Sequence, residues 1–333
     1  MIRNVQAMRG VASLMVFCIH VLVTTPNMGV DSLSWYYYPL GSAGVDIFFV
    51  ISGFIITMVA QKSATEDNPA IHFAVRRMIR IYPIYWIVFF IAVIASNFIF
   101  LSPPIEPRPL WMKALLLTDR NDKILAAWSL AYEIYFYAVV TILLLTLRRH
   151  ITQAIATWCI LSLGVIIYVY RFQPSWVWTI PFNTLVVEFM FGVLVATAFR
   201  KDFLPLGVSS VFVGAAGLLM GGEAIRHYEM QILPPWWRIA CFGIPATLLI
   251  YGLVSVERRQ GWVMHPLWQR LGDASYSLYI WHQLILFSLL AVWQRTGLIH
   301  RIPGPLSLLI WAPIAFTIEF SLTTILNFLS LDG

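Results

Sequence analysis

Charged residues are scarce in this chain of 333 residues: Asp, Glu, Lys and Arg make up only 11% of it, while 59% of its residues are hydrophobic. A soluble domain carries about 25% charged residues, because charged side chains normally cover its surface. The composition therefore excludes an ordinary soluble protein, and its apolar content also excludes a disordered chain. The 14 tryptophans, 14 tyrosines and 22 phenylalanines suit the two interfaces of a bilayer. These features predict an integral membrane protein.

Cysteine is also scarce, and several familiar motifs are missing. The three cysteines lie far apart inside apolar runs and form no Cys-x-x-Cys pair, which excludes a disulfide framework and argues against a zinc site. The chain has no Walker-type loop and no His-Glu-x-x-His pair. The net charge of +6 is scattered between apolar runs, so membrane topology explains it better than nucleic acid does. We expect no metal, no tightly bound cofactor and no nucleic-acid partner.

Ten stretches of the chain are apolar and long enough to cross roughly 30 Å of hydrocarbon, which takes about 20 helical residues. They predict an all-α, polytopic membrane protein with about ten transmembrane helices. Residues 1–333 are expected to form a single integral-membrane domain without an appended soluble domain, because the loops of about twenty residues are too short for a separate core. Gly217 and Gly221 predict a close contact between helices. The predicted spans are 7–25, 41–60, 82–102, 126–147, 153–170, 182–199, 205–222, 238–256, 274–293 and 306–328.

The distribution of basic residues predicts the orientation in the membrane. With the N-terminus in the cytoplasm, thirteen of the 22 lysines and arginines fall on the inner side. This excess follows the positive-inside rule and favours a cytoplasmic N-terminus. The thirteen residues are Arg3, Arg9, Lys62, Arg76, Arg77, Arg80, Arg148, Arg149, Arg200, Lys201, Arg258, Arg259 and Arg270.

Ionisable residues within the apolar runs are functional candidates, because each costs about 2.5–3.5 kcal/mol to insert into hydrocarbon. Asp46, Glu133 and Glu188 each lie about six residues inside the outer end of a predicted helix, near the predicted depth of His20. This shared depth predicts a polar chamber that opens outward. The alternative for any one of them is a hydrogen bond between helices. The candidates are His20, Asp46, Glu133, Glu188, His282 and Glu319.

Arg9 and His20 form a polar stripe on the first predicted helix. Eleven residues separate them, so they share a helix face within roughly 20° and lie about 16 Å apart along the axis. Arg9 is then near the cytoplasmic mouth, and His20 is in the outer half of the membrane. A neutral imidazole oriented by a carboxylate is a standard general base. The spacing makes His20 a candidate catalytic base.

Three arginines, Arg76, Arg77 and Arg80, precede the third predicted span. Arg77 and Arg80 lie three residues apart on a helical turn, and their fork-shaped guanidinium groups suit phosphate. Arginines beside a membrane also serve only to set topology or to bind anionic lipid. Spacing alone leaves both interpretations open.

Five short motifs follow one another along the chain. They are Arg9-x10-His20, Gly44–Phe54, Arg77-x-x-Arg80 with Tyr82-Pro83, Trp128–Tyr137 and Ser275–His282. In this order they resemble the motifs of the membrane-bound acyltransferase-3 family over helices one to four and nine. The opening segment, residues 2–9, is most similar to the exopolysaccharide-modifying subgroup. Ala131 stands where many relatives have a hydroxyl residue, so one hydrogen bond of the site is absent.

The resemblance implies an enzyme with the acyltransferase-3 fold in the bacterial inner membrane. Such an enzyme moves an acyl group, usually acetyl from cytoplasmic acetyl-CoA, to sugar hydroxyls of an exopolysaccharide or its lipid-linked oligosaccharide precursor. The implied partners are therefore acetyl-CoA, a glycan acceptor and membrane lipid. The implied catalytic residues are His20, Arg9 and Glu133, and those that hold the phosphates of CoA are Arg77, Arg80 and Arg76. The acyl and acceptor chamber is implied to contain Asp46, Ser52, Trp128, Ser129, Tyr279 and His282.

Two mechanisms and several functions remain open from the sequence. His20 either deprotonates the sugar hydroxyl or carries the acyl group covalently. Ser129, the Trp128 indole and tyrosine hydroxyls are candidate donors to a developing oxyanion. The alternative functions are acylation of another envelope glycan, a secondary transporter with intramembrane ionisable residues, and a non-catalytic glycan scaffold. A transporter would be expected to show two related halves, whereas the motifs here lie in the first four helices and the ninth.

Overall fold

Apolar runs of this length fold into helices in a bilayer, because a helix satisfies its backbone polar groups within a single segment. The computed structural model describes residues 2–25, 33–99, 108–173, 179–227 and 235–331, and these ranges contain helices and no strand. Two of the α-helices, α4 and α9, have only five and four residues. The helices are α1 Arg3–Thr24, α2 Leu33–Ser63, α3 Pro69–Ile99, α4 Leu110–Ala114, α5 Trp128–Leu147, α6 Ile151–Phe172, α7 Leu185–Arg200, α8 Gly207–His227, α9 Pro235–Arg238, α10 Ile244–Gln260, α11 Pro266–Arg295 and α12 Gly304–Leu331.

The prediction of an all-α membrane protein is confirmed. Within the described ranges, seven segments are long and apolar enough to cross a membrane, and one of them, Leu125–Phe172, contains both α5 and α6. The apolar helix α7 has 16 residues, and a five-residue π-helical segment, Ile239–Gly243, joins α9 to α10. Each of the ten predicted spans overlaps one long helix or the α9–α10 pair, so the count of about ten is a fair approximation.

Helices α3 and α11 begin well before the spans predicted from hydropathy. Helix α3 starts at Pro69 rather than residue 82, and α11 starts at Pro266 rather than residue 274. Hydropathy marks only the part of a helix that lies in hydrocarbon, whereas the backbone stays helical through the preceding turns, in which charged residues interrupt the apolar ones. The early start places Arg77 and Arg80 on α3 itself, immediately before its apolar part.

Helix α1 lies between α2 and α11, which are its main packing partners. Small residues allow the close approach: a Cβ atom on Gly10 of α1 would lie 2.7 Å from the carbonyl oxygen of Trp268. A Cβ on Gly272 of α11 would overlap the carbonyl oxygen of Gln6. These glycines therefore hold α1 and α11 in backbone contact, as is typical of membrane helices. The contact brings the faces that carry Arg9 and His20 against α11.

Glycines also mediate other helix pairs. Gly53 of α2 and Gly192 of α7 face each other across a contact in which neither has room for a Cβ atom. The predicted contact at Gly217 and Gly221 is confirmed, because Gly217 packs on Pro245 and Gly221 on the backbone of Cys241. Helix α8 is thereby held against the π-helical segment and α10.

The beginning of α1 is fixed by a carboxylate on α10. Glu257 accepts hydrogen bonds from the backbone N–H groups of Arg3 and Asn4, at 2.9 and 2.7 Å. A negative charge at this position satisfies free N–H groups and complements the helix dipole. The Asn4 side chain donates to the carbonyl oxygens of Leu253 and Trp262. The position of Arg9, less than two turns further along α1, is therefore well defined.

Toward the opposite face of the protein, residues 108–127 fold back along the second half of α3, from Tyr82 to Ser96. The buried Lys113 forms an ion pair with Asp122 there. The Tyr85 hydroxyl of α3 donates to the carbonyl oxygen of Lys113 at 2.5 Å and accepts from Asn121 at 2.9 Å. The backbone N–H of Ala126 donates to Gln283 of α11 at 2.6 Å. These contacts fix the loop and, with it, the first turn of α5.

Candidate functional site

Helices α1, α2, α3, α5 and α11 surround a cavity with about 700 Å³ of empty space, including the solvent at its mouth. Three arginines from two helices converge on this arginine cavity, together with a carboxylate and several hydroxyl groups. Apolar side chains of α2 form much of the remaining wall. The polar residues that line it are Arg9, Ser52, Arg77, Arg80, Ser129, Glu133, Tyr137, Ser275, Tyr276 and Tyr279.

Arg9 is oriented by a relay of side chains from α1 and α11. Its guanidinium donates to the Gln6 side-chain oxygen at 3.4 Å, and the Gln6 amide donates to Asp273 at 2.7 Å. Glu133 of α5 lies within electrostatic range of Arg9. The Tyr137 hydroxyl, one turn along α5, donates to Glu133. Arg9 is thus placed between two carboxylates and faces the cavity.

Arg77 and Arg80 form the basic side of the arginine cavity, as the sequence predicts. Arg77 is buried, and its guanidinium carbon lies 5.8 Å from the ring centres of both Phe73 and Tyr137. This packing restricts the side chain without neutralising its charge. The Arg77 Nε atom has no hydrogen-bond partner within the described residues. A planar donor that is held in place but not paired is suited to an incoming phosphate.

Arg76 does not join the other two arginines, contrary to the prediction. It is exposed and forms a 3.0 Å ion pair with Glu66 in the loop before α3. The reason is helical geometry, because adjacent residues point about 100° apart and Arg77 already faces the cavity. The hydrogen bond from Arg76 lowers the pKa of the Glu66 carboxyl.

The wall of the cavity toward the opposite face is made by hydrogen-bonded hydroxyls. The hydroxyls of Ser129 and Tyr279 lie 2.7 Å apart, and Tyr279 also donates to the carbonyl oxygen of Ala126 at 3.0 Å. Phe48 packs on the Tyr279 ring with the ring centres 5.7 Å apart. Ser52 lines the cavity from α2. The structure therefore brings Ser52, Ser129 and Tyr279 to one site, as the motifs predict.

Next to this wall lies a pair of histidines. The rings of His20 on α1 and His282 on α11 are 4.9 Å apart between their centres, and the His282 ring lies 5.9 Å from that of Tyr279. Neither histidine lines the arginine cavity itself. The sequence predicts that both belong to one chamber, but it gives no sign that the rings are in contact.

Hydrogen bonds to the backbone define the proton positions of both imidazoles in their neutral forms. Nδ1 of His20 lies 2.7 Å from the carbonyl oxygen of Val16, and Nδ1 of His282 lies 3.2 Å from that of Leu278. A carbonyl oxygen only accepts, so each Nδ1 carries the hydrogen and each Nε2 keeps its lone pair. The His282 Nε2 atom is buried without a partner among the described residues. The pair therefore offers two nitrogen lone pairs, one on the partly buried His20 and one on the buried His282.

Asp46 is not part of the arginine cavity, so the cavity differs from the predicted chamber, which included this residue. It is fully buried and accepts two hydrogen bonds from Arg238, at 2.9 and 2.7 Å. Glu188 of α7 is also fully buried and lies within electrostatic range of this pair, beside Gly243. Arg238 is the last residue of α9, immediately before the π-helical segment. The sequence hides this pairing, because Arg238 stands alone at the edge of a predicted span, far from Asp46 along the chain.

Glu133 lies at the level of Arg9 rather than at that of His20. The prediction of one shared depth is therefore wrong for this carboxylate, because Glu133 lines the arginine cavity within electrostatic range of Arg9, whereas His20 lies outside that cavity. The ring of His20 lies beside another imidazole, that of His282, and Nδ1 of His20 is hydrogen-bonded to its own helix instead of to a carboxylate.

Trp128 is half-buried outside the cavity and packs on Phe49, with the ring centres 6.2 Å apart. The side chain of Glu319 lies outside the described residues.

Several residues of the site have no assigned role in the sequence interpretation. Tyr137 and Tyr276 line the cavity, and the Tyr276 hydroxyl donates to the carbonyl oxygen of Ile81 at 2.7 Å. Both tyrosines stand within quoted motifs, and Tyr137 lies four residues after Glu133, which is the spacing for contact on a helix. Gln6 and Asp273 support Arg9 from polar positions near helix starts. Only their spacing relative to Arg9 could have indicated this role.

Comparison with known proteins agrees with the resemblance in the motifs. A family model described as "Acyltransferase domain" matches residues 2–327. The match therefore includes every helix that surrounds the arginine cavity and both histidines. No solved structure matches the chain.

Three relatives are each 26% identical to the chain. "Exopolysaccharide production protein ExoZ" of Rhizobium meliloti (strain 1021) aligns over 279 residues, which cover 81% of this chain and 83% of ExoZ. "Acyltransferase MdmB" of Streptomyces mycarofaciens aligns over 320 residues, 85% of this chain and 78% of MdmB. "Putative membrane-bound transacylase BcsY" of Komagataeibacter xylinus aligns over 305 residues, 84% of this chain and 72% of BcsY.

Proposed function

The chain belongs to the acyltransferase-3 family, and we propose that it transfers an acetyl group from acetyl-CoA to a sugar hydroxyl of an exopolysaccharide or its lipid-linked precursor. The relatives named for exopolysaccharide production and for membrane-bound transacylation support a glycan acceptor. The chain is a multi-pass membrane protein. In this proposal it lies in the bacterial inner membrane with its N-terminus in the cytoplasm.

The observation that carries the proposal is a cavity lined by three arginines, with a histidine pair next to its wall of Ser129 and Tyr279. Acetyl-CoA has a phosphate-rich head and a long arm that ends in a thioester. Arg77 and Arg80 would hold the phosphates, and Arg9 would attract the same negative charge. His20 lies about 16 Å along α1 from Arg9, and the arm would reach toward it past Ser129 and Tyr279.

In the proposed chemistry, Nε2 of His20 takes the proton of the sugar hydroxyl as its oxygen attacks the thioester carbon. The carbon–sulfur bond breaks, and the histidine returns the proton to the leaving thiolate, which gives CoA and the ester. The hydroxyls of Ser129 and Tyr279 are candidate donors to the oxyanion. His282 would keep the His20 ring in place and exclude water, which would otherwise hydrolyse the acyl group. A variant of this scheme, in which His20 carries the acetyl group covalently, uses the same residues.

The proposal is tested by the acetyl content of the host's secreted polysaccharide, measured by proton NMR in a strain that lacks this gene. Complementation with the wild type should restore the acetyl signals, and complementation with His20→Ala should not. Cys18→Ala is a matched control, since Cys18 lies on the same helix but is exposed on the outside of the bundle. Membrane levels of all variants are compared by immunoblotting.

Two results would contradict the proposal. If His20→Ala restores acetylation as well as the wild type does, His20 is not catalytic. If the deletion strain already makes a normally acetylated polymer, the acceptor is wrong. A change in the amount of secreted polymer at constant acetyl content per sugar would instead indicate a transporter.

A further inference from the structure

A second concave site lies on the face of the protein that carries the beginning of α1. The ends of α2, α5 and α7 and the beginning of α6 surround about 1240 Å³ of empty space, including open solvent. Four basic residues from the α5–α6 turn and the end of α7 line it, and this group is called the basic basin. Its cations are Arg148, Arg149, Arg200 and Lys201, and its other polar residues are Gln61, Thr65, Thr152, Gln153 and Thr197.

The cations of the basic basin differ from several nearby arginines in having no ion pair. Arg76 is paired with Glu66, and both Arg258 and Arg259 are paired with Asp202. None of the four basin cations contacts a carboxylate within the described part of the chain. Like charges that are collected in one concavity repel each other, and an anion in the concavity removes this cost.

Hydrogen-bonding groups inside the basin point to more than a simple ion. The Gln61 side-chain nitrogen donates to the Thr152 hydroxyl at 3.0 Å, which fixes the amide. The Gln61 side-chain oxygen is then left buried without a partner. A hydroxyl group of a ligand would satisfy this acceptor, whereas a phosphate oxygen would be repelled by it. A ligand with both a phosphate and a hydroxyl satisfies the two requirements.

The basic basin lies at the edge of the membrane. It is formed where α5 and α7 end, and these helix ends mark the boundary between hydrocarbon and water. Leu145 and Leu194, on these two helices, have 67% and 62% of their surface exposed, as expected for side chains that face lipid tails. A ligand whose phosphate lies in the basin could therefore extend apolar chains along the same helices.

We propose that the basic basin binds the phosphate of an anionic glycerophospholipid with a free hydroxyl in its headgroup, such as phosphatidylglycerol. The four cations bind the phosphate diester, and the Gln61 oxygen accepts from the headgroup hydroxyl. This lipid site is separate from the arginine cavity and does not depend on the proposed acyl transfer. Basic pockets between helices at this level of the membrane are suited to anionic headgroups.

The test uses the purified full-length protein in detergent, with bound lipid counted by native mass spectrometry during titration with phosphatidylglycerol or phosphatidylcholine. The basin variant is Arg148→Gln combined with Arg200→Gln. The control is Arg258→Gln combined with Arg259→Gln, which removes the same charge from the same face but from arginines already paired with Asp202. We expect phosphatidylglycerol affinity to fall roughly fivefold for each basin arginine removed and to stay within twofold in the control. Phosphatidylcholine binding should be the same in all three proteins.

Two further arms decide the nature of the ligand. Gln61→Leu should reduce the preference for phosphatidylglycerol over phosphatidic acid, which carries no glycerol hydroxyl in its headgroup. CoA, added as a water-soluble phosphate ester, should leave phosphatidylglycerol binding unchanged. Equal lipid affinity in the basin and control variants, or displacement of the lipid by CoA, would overturn the proposal. If the double variant elutes as an aggregate, Lys201→Gln alone is titrated, with the same fivefold expectation.

Discussion

The ion pair between Asp46 and Arg238 allows a decisive test of whether Asp46 serves stability or catalysis. Asp46 is fully buried and holds Arg238 through two hydrogen bonds. Asp46→Asn keeps the shape but leaves the Arg238 guanidinium, whose side chain is 23% exposed, without its charged partner. Breaking a buried pair in this way costs about 3–5 kcal/mol. We expect the lower end of this range, because the Glu188 carboxylate remains nearby and can take over part of the interaction.

The assay is thermal unfolding of the purified protein in detergent, together with activity per amount of folded protein. A loss of about 3 kcal/mol should lower Tm by on the order of 5 °C, while the folded fraction stays active because the pair lies outside the arginine cavity. Asp46→Leu combined with Arg238→Met replaces the pair by apolar groups and should restore most of the stability. The reasoning is refuted if Asp46→Asn unfolds like the wild type but has lost its activity. That result would place Asp46 in the reaction chamber.

Three other variants test the arginine cavity and the packing that shapes it. Arg80→Ala should raise KM for acetyl-CoA at least tenfold and leave kcat within a few-fold of the wild-type value, because a charge-assisted hydrogen bond contributes about 1.5–3 kcal/mol. An unchanged KM in steady-state kinetics would contradict a phosphate contact. Gln6→Ala should lower kcat/KM about tenfold and stability by about 1 kcal/mol, because it removes the contact to Arg9 and also the hydrogen bond to Asp273 on α11; an unchanged kcat/KM would contradict an orienting role. Gly10→Ala should destabilise the protein by about 1–3 kcal/mol through overpacking, whereas Gly164→Ala, with open space around it, should not lower Tm.

Hydropathy was sufficient for the fold class, because the cost of placing an unsatisfied backbone in hydrocarbon leaves helices as the solution for each long apolar run. The helix starts at Pro69 and Pro266 were missed because charged residues interrupt the apolar run a few residues further on, at Arg76, Arg77 and Arg80 in α3 and at Arg270 and Asp273 in α11. The close approach of α1 to α11 depends on Gly10 and Gly272. Neither stands in a Gly-x-x-x-Gly pattern, so their pairing could not be recognised without the three-dimensional arrangement.

The candidate site was predictable where the relevant residues share one helix. Arg77 with Arg80 and Ser129 with Glu133 are placed on common faces by helical periodicity alone. Contacts between distant segments were not predictable in this way. The pairing of Asp46 with Arg238 and the contact between the His20 and His282 rings depend on which helices are neighbours. A single hydropathy profile contains no information about neighbours, so Asp46 was assigned to the chamber from its depth and from the family resemblance of the Gly44–Phe54 motif.

The role of His20 is tested most directly by acetyl transfer in a reconstituted system. The purified protein in lipid vesicles is given radiolabelled acetyl-CoA and deacetylated polysaccharide, and the label in the polymer is counted for the wild type, His20→Gln and the control Cys18→Ala. We predict that His20→Gln lowers the initial rate by about 10²–10⁴-fold, while Cys18→Ala and the wild type are equal and all three have the same Tm. Transfer by His20→Gln at the wild-type rate would contradict the assignment of His20 as the catalytic base.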